Sequence, residues 1–176
     1  MPTPTLDRPD IPREYGIPET SDGLLPWSHV DRRLAEATVY WVATSGPGGV
    51  PRVRPLDGLW HDGVLYVGGS PATRWVRDIE VNPQVSVHLD GGLDVAILEG
   101  TAEILDHGVE RPVAEVLAAM SAEKYPQYGM TVDSYATGPG PIAIRPERGF
   151  GWTSFPKDVT RYRFDGPDVT EDDSGT

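Results

Sequence analysis

The chain has 176 residues and no cysteine, so it can form one domain with a real hydrophobic core but has no disulfide, thiolate metal site or thiol nucleophile. Its 15 basic and 27 acidic residues give a formal net charge of -12, which argues against binding to the phosphate backbone of a nucleic acid. No apolar run approaches the roughly 20 residues of a membrane span, and the N-terminal sequence does not resemble a signal peptide. We therefore expect a cytoplasmic protein that binds neither membranes nor nucleic acids.

The two ends of the chain differ in composition from its middle. Residues 1–26 are rich in proline and are expected to form an extended segment that wraps over the surface or is disordered. The sequence WSHVDRRLAEA then predicts a short helix with Ser28 as its N-cap. Residues 166–176 are strongly acidic and predict a solvated, disordered tail. The single predicted domain therefore spans residues 27–165.

A series of strand and turn signals follows the first helix. Segments rich in β-branched and aromatic residues predict strands at 38–44, 50–60, 64–68, 84–89 and 93–105. The sequences GPGG, HDG and DGG between them are typical of turns. In QVSVHL, the valines and the leucine alternate with polar residues, which predicts one buried face. Turn signals at such regular intervals favour an antiparallel meander or barrel.

The periodicity changes in the second half of the chain. From 107 to 123 the apolar residues follow helical spacing and predict one amphipathic helix. The stretch 125–140 is rich in tyrosine, glycine and proline and is predicted to be a loop. Strands are expected again at 141–146, 149–155 and 160–165. The sequence thus predicts one β-rich domain with helical insertions and no internal repeat.

The sequence GGSPATRWVRDIEVNP has the features of an anion-binding loop and helix. It runs from the end of a predicted strand into a helix for which Ser70 is the candidate cap and Pro71 the first residue. The free N–H groups and dipole of such a helix start attract anions. Arg74 and Arg77 are three residues apart, so both can reach one phosphate. The alternative is that Arg74 pairs with Asp78 and that Arg77 is merely solvated.

Two other stretches combine strand character with unusual residues. Pro55 in RVRPLDG cannot donate to a β-ladder, so this strand is either a plain edge strand or one whose backbone faces a planar heterocycle. Phe150, Trp152 and Phe155 are aromatic residues of a predicted strand. They either belong to the core or stack on a ring or at a subunit interface.

Familiar catalytic motifs do not occur in this sequence. There is no G-x-S-x-G, no Walker A sequence and no G-x-G-x-x-G after a strand. The four histidines lack metal-ligand spacing, so no metal site is predicted: His29, His61, His88 and His107. The sequence identifies no catalytic residue, and any catalysis would depend on a bound cofactor.

Taken together, the segments GPGGVPRVRPLDG, TRWVRDIEVNP, VSVHL and EGTA resemble the pyridoxamine 5′-phosphate oxidase-like superfamily. Within it, the chain is most similar to the actinobacterial flavin/deazaflavin oxidoreductases, over residues 28–105 and less closely over 141–165. The resemblance implies a mainly β fold, a six-stranded antiparallel split β-barrel with a few flanking helices. It also implies a homodimer with two sites for FMN or the deazaflavin F420 at the subunit interface.

The resemblance assigns a set of cofactor-binding residues. The strand 53–58 would lie against the flavin or deazaflavin ring, and 69–77 would hold the phosphate. Trp152 would reach the site from the partner subunit. The residues so implied are Arg54, Pro55, Leu56, Asp57, Gly69, Ser70, Thr73, Arg74, Trp75, Arg77 and Trp152.

Two departures from the superfamily narrow the expected function. Trp75 stands where relatives often have a lysine, and the basic residues that grip the substrate in a true pyridoxamine phosphate oxidase are not evident. We therefore do not expect vitamin B6 oxidation. The leading hypothesis is an F420-dependent oxidoreductase that transfers hydride to a small unsaturated organic substrate. The alternatives are an FMN-dependent flavin reductase or oxidase, and a non-catalytic cofactor- or haem-binding protein.

Overall fold

The computed structural model describes residues 3–164 of the chain. In that part, nine strands belong to one sheet: β1 (Thr5–Asp7), β2 (Tyr40–Ser45), β3 (Pro51–Leu56), β4 (Gly58–His61), β5 (Val64–Val67), β6 (Gln84–His88), β7 (Val95–Ile104), β8 (Ile142–Trp152) and β9 (Thr160–Arg163). The helices are α1 (Trp27–Glu36), α2 (Arg74–Val81), α3 (Arg111–Lys124) and α4 (Val132–Ala136), with single 3₁₀ turns at Arg13–Tyr15 and Pro126–Tyr128.

Strand β8 organises the sheet, whose main order is β1-β9-β8-β7-β6-β2-β3 with every pairing antiparallel. Along one side β8 pairs with β7 throughout its length. On the other side, residues 142–144 pair with β5 and residues 148–151 pair with β9, so the sheet divides at this strand. This mainly antiparallel sheet with a few helices confirms the predicted split-barrel fold class.

The sheet has more strand segments than the six expected, for two local reasons. First, β1 adds an edge to β9, so part of the N-terminal segment enters the sheet. Second, the predicted strand 50–60 divides at Asp57 into β3, which pairs with β2, and β4, which pairs with β5. Gly58 permits this division, because a Cβ there would lie 2.9 Å from Leu65 Cδ1 and 3.1 Å from Tyr40 Cδ2.

Conversely, the two strands predicted at 141–146 and 149–155 form the single strand β8. Arg148 pairs with Glu99 and Pro146 with Gly100, so Glu147 is an extra residue on β8. Such a bulge bends a strand without ending its ladder.

The helix starts differ from the sequence expectations. Helix α1 begins at Trp27 with Pro26 at its N-cap, so Ser28 lies inside the first turn and does not cap the helix. Pro26 precedes the helix in an extended conformation, and its fixed φ is suited to that position. Helix α2 begins at Arg74 with Thr73 at its N-cap. Ser70 therefore lies in the turn before the helix.

The insertion after β7 is more ordered than predicted. Residues 125–140 were expected to be a loop, but they include α4, which begins with a capping box between Thr131 and Ser134. Tyr135 of α4 packs with Leu117 of α3 in a small core separate from the main one. Burial of these apolar side chains compensates for the loop-like composition.

The main core lies between the sheet and helices α1 and α2. Val30 and Leu34 of α1 are 0% and 1% exposed, and Val76 of α2 is 1% exposed. Each such side chain contributes about 1.5–3 kcal/mol when fully buried. Val85 and Val87 of β6 are also buried, which confirms the predicted alternation in that strand.

The predicted acidic tail at 166–176 lies outside the described residues. Within 3–164, no helix is both long and apolar enough to cross a bilayer.

Candidate functional site

A cavity of about 530 Å³ opens where the end of β3 meets β5 and the helical insertion. This volume lies within the range of small-molecule binding sites. The sheet contributes residues 55–59 and 66–69, and α3, α4 and their connection contribute the opposite wall. Four of the predicted cofactor-binding residues line the cavity: Pro55, Leu56, Asp57 and Gly69.

Tyr125 fixes the floor of this cavity. Its hydroxyl accepts a hydrogen bond from the Gly58 N–H at 3.1 Å and donates to the Thr38 carbonyl at 2.7 Å. Burial raises the pKa of this hydroxyl, so it stays protonated. Because both bonds go to the backbone, the Tyr125 hydroxyl holds the β3–β4 junction in place and is not free for a ligand.

Tyr128 carries a hydroxyl that is tied to the only carboxylate among the described lining residues. The Tyr128 hydroxyl donates a hydrogen bond to Asp57 Oδ2, and the ring stacks on Tyr125 with centroids 5.8 Å apart. The hydrogen bond and the charge of Asp57 raise the pKa of Tyr128, because losing the proton would place two negative charges side by side. The pair therefore keeps a proton at the edge of the cavity at neutral pH.

The glycine loop 68–69 leads from the cavity to α2. A Cβ on Gly69 would lie 2.4 Å from Trp75 Cζ2, so glycine is required for the loop to pack against this indole. Trp75 is 7% exposed, and the Arg54 guanidinium lies over its ring at 5.9 Å. Trp75 thus supports both the loop and Arg54 from below.

The turn before α2 is closed by its own hydrogen bonds. The Thr73 N–H and hydroxyl both donate to the Ser70 carbonyl, at 2.9 and 2.6 Å. The Ser70 hydroxyl accepts from the Ala72 N–H at 3.3 Å. Both hydroxyls are therefore engaged in the turn in this structure.

Arg74 and Arg77 are exposed on the first turn of α2. Within residues 3–164, neither side chain makes a hydrogen bond or an ion pair. The pair between Arg74 and Asp78 weighed as an alternative does not form, because Asp78 faces the core and is 4% exposed. Two unpaired cations thus lie beside the loop that enters the cavity.

Asp78 instead binds residues of β2 and β3. Arg52 Nη1 lies 3.0 Å from Asp78 Oδ2, and the Thr44 hydroxyl is 3.4 Å from the same oxygen. Arg54 Nη1 donates to the Thr44 hydroxyl at 3.1 Å. A Cβ on Gly46 would lie 2.1 Å from Asp78 Oδ1, so the turn after β2 needs glycine to pass this carboxylate.

Arg52, Thr44 and Asp78 belong to this network but were not predicted as site residues. Arg52 and Arg54 are two residues apart, which places both on one face of β3 and could have indicated a shared role. Burial lowers the pKa of Arg54, Asp78 opposes that effect and Arg52 adds to it. The guanidinium remains charged at any physiological pH.

Trp152 does not line the cavity of its own chain and lies at the opposite end of β8 from it. It ends β8, whereas Pro141, which precedes β8, lines the cavity. At about 3.3 Å per residue, the 11 residues of β8 span at most about 36 Å. Trp152 and Phe150 are half-buried and Phe155 is 46% exposed, so the interpretation of these three as core residues was wrong.

Histidine and carboxylate side chains do not assemble a metal site in the described part of the chain. His29 and Arg33 of α1 both contact the Asp94 carboxylate, at 3.0 and 3.1 Å. These contacts join α1 to the turn between β6 and β7. His88 stacks on Trp41 on the exposed side of β6.

The chain is similar to one protein family in sequence and to several solved structures in fold. The family described as pyridoxamine 5′-phosphate oxidase matches residues 27–152. No curated protein matches the chain significantly in sequence.

Several solved structures share the fold. The conserved hypothetical protein Rv2991 from Mycobacterium tuberculosis is 19% identical with a TM-score of 0.58, over 77% of this chain and 89% of that one. A FAD-binding protein from Mesorhizobium loti is 19% identical with a TM-score of 0.55, over 80% and 96%. HutZ, the haem storage protein from Vibrio cholerae, is 18% identical with a TM-score of 0.50, over 68% and 89%. At these identities the likeness concerns the fold alone.

Proposed function

The chain belongs to the pyridoxamine 5′-phosphate oxidase family, and from this membership we propose that it is an oxidoreductase that binds the phosphorylated deazaflavin F420. Its substrate would be a small unsaturated organic molecule that accepts hydride. The cofactor assignment goes beyond the family and rests on the residues around the cavity.

One observation carries the proposal: the two unpaired arginines of α2 lie beside the loop that enters the cavity. The chain has a net charge of -12, so an arginine without an acidic partner is conspicuous. Arg74 and Arg77 are both exposed. They lie on the helix that follows the loop containing the lining residue Gly69. The two arginines lie outside the cavity lining. A ligand with an anionic group outside the cavity and an uncharged ring inside it matches this arrangement.

The residues present fit a phosphorylated ring cofactor. Residues 55–58 line one side of the cavity, and the Gly68–Gly69 loop leaves open space, since a Cβ on Gly68 would meet nothing within 4 Å. Arg74 and Arg77 would hold the phosphate. Their exposed position also suits an acidic tail that extends over the surface, which F420 has and FMN lacks.

When bound, reduced F420 supplies a hydride, and the protein supplies binding and orientation. Pro55 and Leu56 present apolar surface to the cavity. Tyr128 holds a proton at its hydroxyl oxygen and is the candidate donor for a substrate that has accepted hydride. Asp57 orients that hydroxyl.

We further propose that the site is completed in a cytoplasmic homodimer. Trp152 ends β8, whereas the cavity lies at the start of that strand, so we propose that Trp152 reaches the cavity of a second subunit. Strand β3 also has an exposed face on which Val53 is 55% exposed. Apolar residues on an edge strand next to a site are typical of a protein contact.

Fluorescence titration of the purified apo-protein with F420, and separately with FMN, tests the proposal. We expect F420 to bind in the low micromolar range or tighter. Binding of FMN alone would favour the flavin reductase or oxidase alternative. If neither binds below about 100 μM, equivalent to roughly 5.5 kcal/mol, the cofactor proposal fails.

Two matched variants make the titration specific to the proposed phosphate site. Arg74→Ala should weaken F420 binding, whereas Arg148→Ala removes the same charge from β8, where Arg148 is paired with Glu99. A haem-binding protein would instead give a Soret band on haemin addition. Among the described lining residues there is no histidine to serve as an axial ligand.

A further inference from the structure

The lining of the cavity contains almost no charged residues, although Arg74 and Arg77 lie beside the loop that enters it. Among the described lining residues, Asp57 is the only charged side chain, and no lysine, arginine or histidine reaches the lining. Asp57 is exposed at the cavity edge. The edge of the cavity therefore carries one negative charge that no cation among the described lining residues balances.

Two basic residues that adjoin lining residues along the chain have their charged groups held away from the cavity. Lys124 directly precedes the lining residue Tyr125, but its ammonium donates to the Ala37 carbonyl at 2.8 Å and so caps the end of α1. Arg54 directly precedes the lining residue Pro55, but its guanidinium lies over Trp75 and donates to Thr44. An anionic ligand in the cavity would find no counter-charge from either of them.

The walls, in contrast, suit a cation. Tyr66, Tyr125, Tyr128 and Tyr135 all line the cavity, together with Met130. The faces of aromatic rings are electron-rich and attract positive charge. A flat cation would gain both these contacts and the attraction of Asp57.

We propose that this cavity selects a planar aromatic substrate that carries a positive charge, such as a quaternised nitrogen heterocycle, and rejects aromatic carboxylates. That such a ligand is a substrate rests on the proposed oxidoreductase function. The charge preference itself rests only on Asp57 and the tyrosine walls. A cationic heterocycle is also a ready hydride acceptor, since hydride addition to its ring carbon neutralises the ring nitrogen without any further reactant.

Three probes of matched shape test the charge preference directly. 1-Methylquinolinium is a cation, 1-methylnaphthalene is its neutral counterpart, and 1-naphthoate is an anion of similar size. Each is titrated into the full-length apo-protein at about 0.15 M salt, where charges on a distant part of the surface are largely screened. We expect 1-methylquinolinium to bind at least ten times more tightly than 1-naphthoate.

Two variants assign the preference to the cavity. Asp57→Asn should weaken 1-methylquinolinium binding fivefold to tenfold and leave 1-methylnaphthalene binding unchanged within twofold. Glu115→Gln removes the same charge from an exposed position on α3 and should change no affinity by more than twofold. Circular dichroism of both variants checks that they are folded.

Several results would overturn the inference. They are 1-naphthoate binding as tightly as 1-methylquinolinium, no effect of Asp57→Asn, or an equal effect of Glu115→Gln. Because these titrations contain no cofactor, their outcome is independent of the F420 titration. Failure of F420 to bind would remove the redox function and leave the cation preference to be decided by the probes.

Discussion

The arginines of β8 and β9 differ from those of α2 in one respect: each has an acidic partner. Arg145 binds Glu103 at 2.7 Å across to β7, and Arg161 binds Asp7 of β1 at 2.7 Å. Arg74 and Arg77 of α2 have no such partner within residues 3–164. The same residue type thus serves to join strands in one region and remains available in the other.

A second cavity contains arginines that are paired with acidic residues. It measures about 350 Å³ and is lined by three arginines and two glutamates, with Gln84. Its charges are largely compensated in place, since Arg148 already binds Glu99 and Arg161 already binds Asp7. An incoming anion would have to displace these acids. The proposed anion site therefore rests on the position of unpaired positive charge and not on the number of arginines.

The largest expected effect comes from the ion pair between Arg52 and Asp78, whose carboxylate is nearly buried. Asp78→Ala would leave Arg52 without its partner, and losing one member of a buried pair costs about 3–5 kcal/mol. Arg52 keeps 26% of its side chain exposed, so we expect a loss in the free energy of unfolding near the lower end, about 3 kcal/mol. Urea denaturation measures this loss. Asp78→Asn, which keeps an acceptor for Thr44, should lose less, and a loss below about 1 kcal/mol for Asp78→Ala would contradict the prediction.

The next effect concerns binding and not stability. Arg74→Ala should weaken F420 binding by about 1–3 kcal/mol, the usual loss for a charge-assisted hydrogen bond. Because Arg74 has no partner in the described structure, the free energy of unfolding should stay within about 0.5 kcal/mol of the wild type. Titration and urea denaturation of the same preparation test both halves. Unchanged affinity would remove Arg74 from the phosphate site.

A smaller effect is expected for an exposed pair. The coupling energy between Arg148 and Glu99, from a double-mutant cycle with alanine at each position, should be about 0.2–1 kcal/mol. It should fall as salt is added, because the pair is exposed. A coupling energy well above 1 kcal/mol, or a loss of cofactor affinity in Arg148→Ala, would erase the distinction between the two groups of arginines.

The smallest effect is a dependence on pH at the β1 edge. The hydrogen bond from Arg161 lowers the pKa of Asp7 below its ordinary 3.8; partial burial opposes this, and the charges of Arg161 and Arg163 add to the lowering. A lowered pKa stabilises the folded state above the ordinary pKa, and this stabilisation is lost as the pH falls through the folded-state pKa. Asp7→Asn should therefore be less stable than wild type by a few tenths of a kcal/mol at pH 7. The variant and the wild type should be equally stable near pH 2. Thermal unfolding between pH 7 and pH 2 measures this change. A difference in stability that persists near pH 2 would show that the charge of Asp7 does not cause it.

The sequence alone determined the features that depend on neighbours along the chain. Alternating residues predicted β6, the turn residues separated β4 from β5, and helical spacing located α3 near its observed bounds. The sequence also predicted that Arg74 and Arg77 lie on one face of a helix, because helical residues three positions apart are neighbours. The resemblance to the family rested on the same local patterns.

The tertiary structure decided which of these groups are free. Whether Asp78 would pair with Arg74 on its own helix or with Arg52, 26 residues away, depends on which face of α2 is buried, and burial turned Asp78 toward β3. Tyr128 meets Asp57 across 71 residues, and only the packing of the helical insertion against β3 brings them together. Contacts of this kind arise from the whole core, because no local pattern records which distant element will cover a given face.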